Sequence, residues 1–190
     1  MNRQFMLLIG LFVIIAGSAI AFVTLNNDEN PGALVNSFDD STAFTLDYPD
    51  QWDYRIPAAN TFLLAPLPVL DDLEAGPSVT VLRTNRFEAG GDTGDDILTT
   101  FLARNALTGD DSNWTQIDAG LTAQIGGQNA VGIEISGNDD PEGEPLRTQI
   151  FVTLSENNMV YFVFLSAPET LWDDFVDTLT AMRDSVEILE

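Results

Sequence analysis

Cysteine, histidine and lysine are all missing from this chain. Each absence removes a class of chemistry. Without cysteine there is no disulfide, thiolate metal site, thiol nucleophile or cysteine-linked lipid. Without histidine the commonest metal ligand and the commonest general base near neutral pH are gone. Without lysine there is no Schiff base, no phosphate-loop lysine and no Ser–Lys dyad. The serines stand in no Gly-x-Ser-x-Gly elbow, and no glycine-rich phosphate loop is present. The sequence therefore assigns no catalytic residue and no cofactor.

Carboxylates are what the chain has in abundance. Aspartate and glutamate number 30 against seven arginines, a net charge of −23. Arg3 is the only charged residue among the first 25, which leaves −24 on the rest. A field of that sign repels nucleic acid and anionic membrane surfaces, so no nucleic-acid partner is expected.

Three segments follow from hydropathy. Phe5 to Leu25 is 21 residues without a charge, long enough to cross a bilayer as a helix. Residues 1–25 are thus a signal anchor or a signal peptide. A cleavage site would be Ala19-Ile20-Ala21, yet the apolar run continues through Phe22-Val23-Thr24-Leu25, which favours an anchor. Either way Arg3 stays in the cytoplasm and the acidic part goes outside. Residues 26–37 are polar and rich in turn formers, a linker, and the domain is expected over 38–190. Its ~150 residues suit a single core.

Within the domain, Met159 to Leu165 is apolar at odd and even positions alike, which implies a strand covered on both faces. Ser166-Ala167-Pro168-Glu169 has the spacing of a capping box. Trp172, Phe175, Val176, Leu179, Met182 and Val186 then recur at helical spacing, with Asp173, Asp174, Asp177 and Asp184 on other faces. Upstream, Ala43–Tyr48 alternates and turns at Pro49-Asp50-Gln51 into Trp52–Ile56, an expected hairpin. Strands are also expected at 61–65, 79–84, 114–125, 130–136 and 146–154, and a proline-broken loop follows Pro66. Thr93-Gly94-Asp95-Asp96 starts a helix with Ile97, Leu98, Phe101 and Leu102 on its apolar face.

Phe44-Thr45-Leu46-Asp47-Tyr48-Pro49 followed by Trp52, then Gly126-Gly127-Gln128-Asn129-Ala130, then Tyr161 to Glu169 and a terminal helix, together resemble the PsbP-like family, the photosystem oxygen-evolving accessory protein and its bacterial relatives. The resemblance spans residues 38–189. It implies an α+β fold: an α/β/α sandwich with a central, mostly antiparallel sheet of about seven strands, helices on both faces and a long C-terminal helix. One N-terminal apolar helix would precede it. It also implies a non-catalytic accessory or binding role with a protein partner outside the cytoplasm. Photosystem docking by the accessory protein uses basic residues, and this acidic chain departs from that pattern.

Metal chemistry has one candidate locus. Asp139, Asp140, Glu142 and Glu144 crowd around Gly143, and a calcium loop starting at Asn138 would use Asp140 and Glu142 at its third and fifth positions. Its twelfth position is Gln149 rather than a bidentate glutamate, so a solvated acidic loop is the expectation and no metal is assigned. Asp92, Asp95 and Asp96 read as helix-start residues, and Trp52, Trp114 and Trp172 as core. The sequence thus points to a membrane-tethered extracytoplasmic binding or accessory module. The alternatives are a carboxylate-dependent hydrolase, which draws only on acid abundance, and a secreted binding protein if the first segment is cleaved.

The charge has a thermal consequence. Crowded carboxylates repel one another more in the folded domain than in the open chain. The Debye length shrinks from ~30 Å at 0.01 M salt to ~3 Å at 1 M. The melting temperature should therefore rise between low and molar sodium chloride, while millimolar calcium adds little beyond its ionic strength. A midpoint unmoved by molar salt would contradict the charge argument; a rise of several degrees with ~2 mM calcium would restore the calcium loop.

Overall fold

The computed structural model describes residues 33–72, 76–109, 112–138 and 143–189. The apolar segment 1–25 and the first part of the linker lie outside these residues. Among the described residues no helix is long and apolar enough to cross a membrane.

The chain enters a strand, β1 (Leu34–Asp40), four residues before the expected domain start at Phe38, so the linker ends earlier than residue 37. Only Phe38 of this strand is buried, and an exposed edge strand carries no apolar alternation to read. β1 pairs antiparallel with β2 (Phe44–Pro49), placing Phe38 opposite Leu46. The expected hairpin between Phe44–Pro49 and the next strand does not form. At Pro49-Asp50-Gln51 the chain leaves this small sheet, with Gln51 in the left-handed region (φ 69°), and becomes β3 (Trp52–Ala58) at the edge of a second sheet.

That sheet has seven strands among the described residues, all antiparallel to their neighbours. β3 pairs with β4 (Thr61–Pro66), which leads through a short helix, α1 (Leu67–Asp72), to β5 (Ser78–Asn85). α1 replaces the expected loop; proline in a first helical turn forfeits no hydrogen bond. β5 continues into α2 (Arg86–Ala89), and α3 (Gly94–Arg104) follows. The other half is a meander of β6 (Trp114–Ile125), β7 (Gln128–Gly137), β8 (Leu146–Leu154) and β9 (Met159–Pro168). β9 returns to pair with β5, giving the order β3-β4-β5-β9-β8-β7-β6. A 3-10 turn (Glu169–Leu171) leads to α4 (Trp172–Asp184), and β10 (Glu187–Ile188) joins the small sheet beside β2.

The doubly apolar strand behaves as its sequence implied. Tyr161, Val163, Leu165 and Ala167 enter one core, with Phe44, Leu46, Trp52 and the α4 residues Trp172, Phe175, Leu179 and Met182. Val160, Phe162 and Phe164 enter the other, with Ile97, Leu98, Phe101 and Leu102 of α3. There are thus two cores, one on each face of the sheet. α3 seals one; α4 and the small sheet seal the other. Phe38, Phe44 and Phe62 interlock with ring centroids 5.0–5.5 Å apart.

Two helix starts contrast. α3 has a full capping box: Thr93 Oγ1 accepts from the Asp96 N–H, and the Asp96 carboxylate accepts from the Thr93 N–H, both at 3.2 Å. The one expected at Ser166–Glu169 is absent. β9 runs on to Pro168, the buried Ser166 hydroxyl pairs with that of Thr148 at 3.1 Å, and Glu169 accepts from Ser136 at 3.1 Å. α4 has no side-chain cap.

Both edges of the large sheet are irregular. β3 loses register between Arg55 and Ala58, across Pro57, and β6 breaks twice around Asp118. Such interruptions hinder pairing with another chain.

The β6–β7 hairpin turns on Gly126 and Gly127, at φ 58° and 75°. The Gly126 N–H donates to Val186 O at 3.0 Å, and a Cβ there would meet Ile188 Cγ1 at 2.6 Å and its N at 2.8 Å. At Gly127 the same atom would meet nothing within 4 Å. Gly127→Ala should therefore cost only the left-handed backbone penalty, about 1–2 kcal/mol. Gly126→Ala should cost more, on the order of 3 kcal/mol, by displacing β10. Urea unfolding of the pair checks this, and equal losses would contradict it.

Candidate functional site

Phe87 is the most conspicuous side chain on the surface: it is 94% exposed, while most of the described phenylalanines are core. Its exposure follows from the brevity of α2. Asn85 caps this single turn, its Oδ1 accepting from the Glu88 N–H at 2.9 Å, and Gly90 ends it in the left-handed conformation (φ 83°). Ala89 is the residue that α2 buries against the α3 core. Residues two apart on a helix do not share a face, so Phe87 points away.

Beside the ring lies an open depression of about 780 Å³. Its walls are Asn85–Phe87, the loop Gly90–Asp92, and the β8–β9 turn at Asn157, Asn158 and Met159. Arg86 braces it. The guanidinium donates to Asp92 O at 2.6 Å, to the Asp92 carboxylate at 3.0 Å and to Asn158 Oδ1 at 3.5 Å. The backbone adds Arg86 N–H to Asn158 O at 3.1 Å, with Asn158 itself left-handed (φ 60°). From the α3 side, Arg104 donates to Glu88 O and the Thr100 hydroxyl to Gly90 O, both at 3.1 Å. The walls are held before anything binds. This arrangement offers an aromatic anchor in a polar frame, suited to recognition.

The sequence-predicted metal residues fare differently. Asp139, Asp140 and Glu142 lie outside the described residues. Glu144 accepts a hydrogen bond from the Thr170 hydroxyl, and its carbonyl accepts from Asn138 Nδ2 at 2.7 Å. Among the described residues no group of three or more carboxylates is placed to hold a metal ion. Asp96 caps α3 and Asp92 pairs with Arg86; Asp173, Asp174 and Asp177 face solvent. Trp52, Trp114 and Trp172 are buried.

A second polar cluster sits on the sheet face near the start of α4. Glu134 is 6% exposed; one oxygen takes Arg147 Nε at 2.6 Å and the other takes Gln149 Nε2 at 2.7 Å. The Arg147 guanidinium in turn lies 5.2 Å from the centre of the Trp172 ring. Every group here points at another, which marks a structural tie between β7, β8 and α4. On the small sheet, burial pushes the Tyr48 phenol above its usual 10.0, with the charge of Asp53 adding to the effect.

The chain is similar to the solution structure of cyanobacterial PsbP (CyanoP) from Synechocystis sp. PCC 6803, with a TM-score of 0.58 over 91% of this chain and 99% of that one, at 16% identity. The chain has a PsbP-like fold. The chain is also similar in fold to the Saccharomyces cerevisiae Ran-binding protein Mog1p, at a TM-score of 0.55 over 83% of this chain and 97% of that one, with 9% identity. No protein-family model and no curated protein matches the sequence. Identities this low carry the PsbP-like fold across and no residue roles, so the Phe87 site rests on its own geometry.

Two substitutions separate surface from structure. Phe87→Ser should move stability by no more than ~0.5 kcal/mol, because the ring is outside both cores. Glu134→Ala should cost about 2–3 kcal/mol by stranding Arg147, short of the full buried-pair penalty because that guanidinium is 29% exposed. Chemical denaturation of both variants checks the contrast; a large loss at Phe87 would place it in the core.

Proposed function

We propose that this protein is a non-catalytic, membrane-tethered binding module that presents its PsbP-like domain outside the cytoplasm to a protein partner. The observation that carries the binding role is Phe87, held 94% exposed on a braced one-turn helix beside an open depression. An aromatic side chain presented beside a braced depression suits the anchor of a partner that covers both. The fold supports the reading, since one similar structure is of a Ran-binding protein and another of PsbP. The tether rests on the uncharged run Phe5–Leu25.

Two measurements test it. Fractionation of native cells with N-terminal sequencing should find the protein in membranes with its start at or near Met1; an N-terminus at Phe22 in a soluble fraction would convert the proposal to a secreted binding protein. Affinity isolation of the tethered protein from its own envelope should recover a partner above a scrambled-surface control, and recovery of none would remove the binding role.

A further inference from the structure

We infer that the Phe87 face is the docking surface, and that the partner it fits is a basic protein surface with an apolar pocket at its centre. The assignment rests on the binding-module reading and adds where the partner sits and what its chemistry is. Three observations carry it.

The first is charge. Asp92 lines the depression with Arg86, and Glu88, the exposed Asp95 and Asp96, and the exposed Glu156 flank its walls in the chain, against the guanidinium groups of Arg86 and Arg104. Both cations are engaged within the wall: Arg86 pairs with Asp92 at 3.0 Å and Arg104 donates to Glu88 O at 3.1 Å. An apolar anchor inside an acidic rim is complemented by an apolar pocket inside a basic rim. The same rim disfavours anionic lipid, and a chain of net charge −23 repels its own copy.

The second is place. β1 starts at Leu34, opposite Pro49, next to the Gln51 crossing that starts β3. Trp52 pairs with Pro66, so the chain enters at the end of the large sheet where β5 begins at Ser78, opposite Ser166. Phe87 follows Asn85 at the other end of β5, opposite Met159. Eight residues of strand separate the two ends, about 26 Å at ~3.3 Å per residue. A domain hung from residue 33 therefore carries the Phe87 face at its far end from the attachment point.

The third is rigidity. Arg86, Asn85, Thr100 and Arg104 fix α2 and its loop by hydrogen bonds, so little ordering remains to oppose association.

The test uses the full-length protein in zwitterionic detergent micelles, with a trifluoromethyl-phenylalanine reporter at position 87 and a second at position 174 on the solvent face of α4. The probe is an amphipathic leucine/lysine peptide, with a leucine/glutamate peptide of the same pattern as control. Leucine/lysine peptide should shift the fluorine resonance at 87 and not that at 174, the control should shift neither, and Phe87→Ser should weaken binding by about tenfold or more. Raising salt from ~0.05 to ~0.5 M should weaken it further. Equal shifts at both reporters, or unchanged affinity in Phe87→Ser, overturn the assignment. So does a shift at 87 induced by phosphatidylglycerol vesicles, which would make the face a lipid contact, or a concentration-dependent dimer abolished by Phe87→Ser. The envelope isolation separates the two readings: a partner kept by Phe87→Ser overturns this docking surface and leaves the binding module standing, whereas no partner with either protein removes the module.

Discussion

Everything in this fold depends on β9 being apolar on both of its faces. Its odd residues close one core and its even residues the other, so one strand supports two independent layers. Each large side chain it buries contributes roughly 1.5–3 kcal/mol. Ordinarily a one-residue slip turns an apolar face to water and is rejected for that reason. Here a slip would exchange one apolar set for another, and polarity alone cannot fix the register. Other contacts do so. The β8–β9 turn places Asn158 in a left-handed conformation, Thr148 and Ser166 pair inside the α3 core, and the buried Tyr161 hydroxyl donates to Ala43 O at 3.1 Å.

The acidic surface and the scarce cations fit the same plan. Arg147 holds Glu134 beneath α4, Arg183 lies 4.7 Å from the Phe151 ring centre, and Arg86 braces the loop beside Phe87. Arginine suits such posts because its planar fork donates several bonds at once and stacks on rings. Carboxylates are left to cover the outside. The acidic surroundings of Phe87 are drawn from that same covering.

How far the sequence reveals this varies by element, for physical reasons. α3 and α4 are legible because burial on one face writes a period into the residues, and β9 because burial on both faces leaves an unbroken apolar run. Strand β1 is not, since four of its seven side chains are exposed and two more half-buried, and its polar run imitates a linker. The Pro49–Gln51 corner misleads because a tight turn between two alternating segments is the signature of a hairpin, and only the tertiary fold decides that the arms join different sheets. Ser166 misleads for a related reason: a hydroxyl at cap spacing is as well satisfied across a ladder, by Thr148, as by a helix start. Phe87 has the faintest signal of all, a lone aromatic residue between Arg86 and Glu88 with no periodic partner. Its significance appears only when Ala89 is seen to take the single inward position of α2.

The small sheet has a consequence for the order in which the molecule is made. β10 lies beside β2, Leu189 N–H reaches Ala43 O, and Val186 O receives the Gly126 hairpin. The first two of these contacts join the first strands of the domain to residues about 145 positions later. The first core therefore cannot close around Phe44 and Leu46 until residues through Ile188 have emerged, because α4 and β10 follow its other elements in the chain. Local pieces such as the β6–β7 hairpin can form early, but the aromatic cluster of Phe38, Phe44 and Phe62 waits, and folding carries the slow, non-local signature of widely separated partners. A ribosome-bound fragment that stops short of Val186 would hold its first three strands without the surface that keeps them dry.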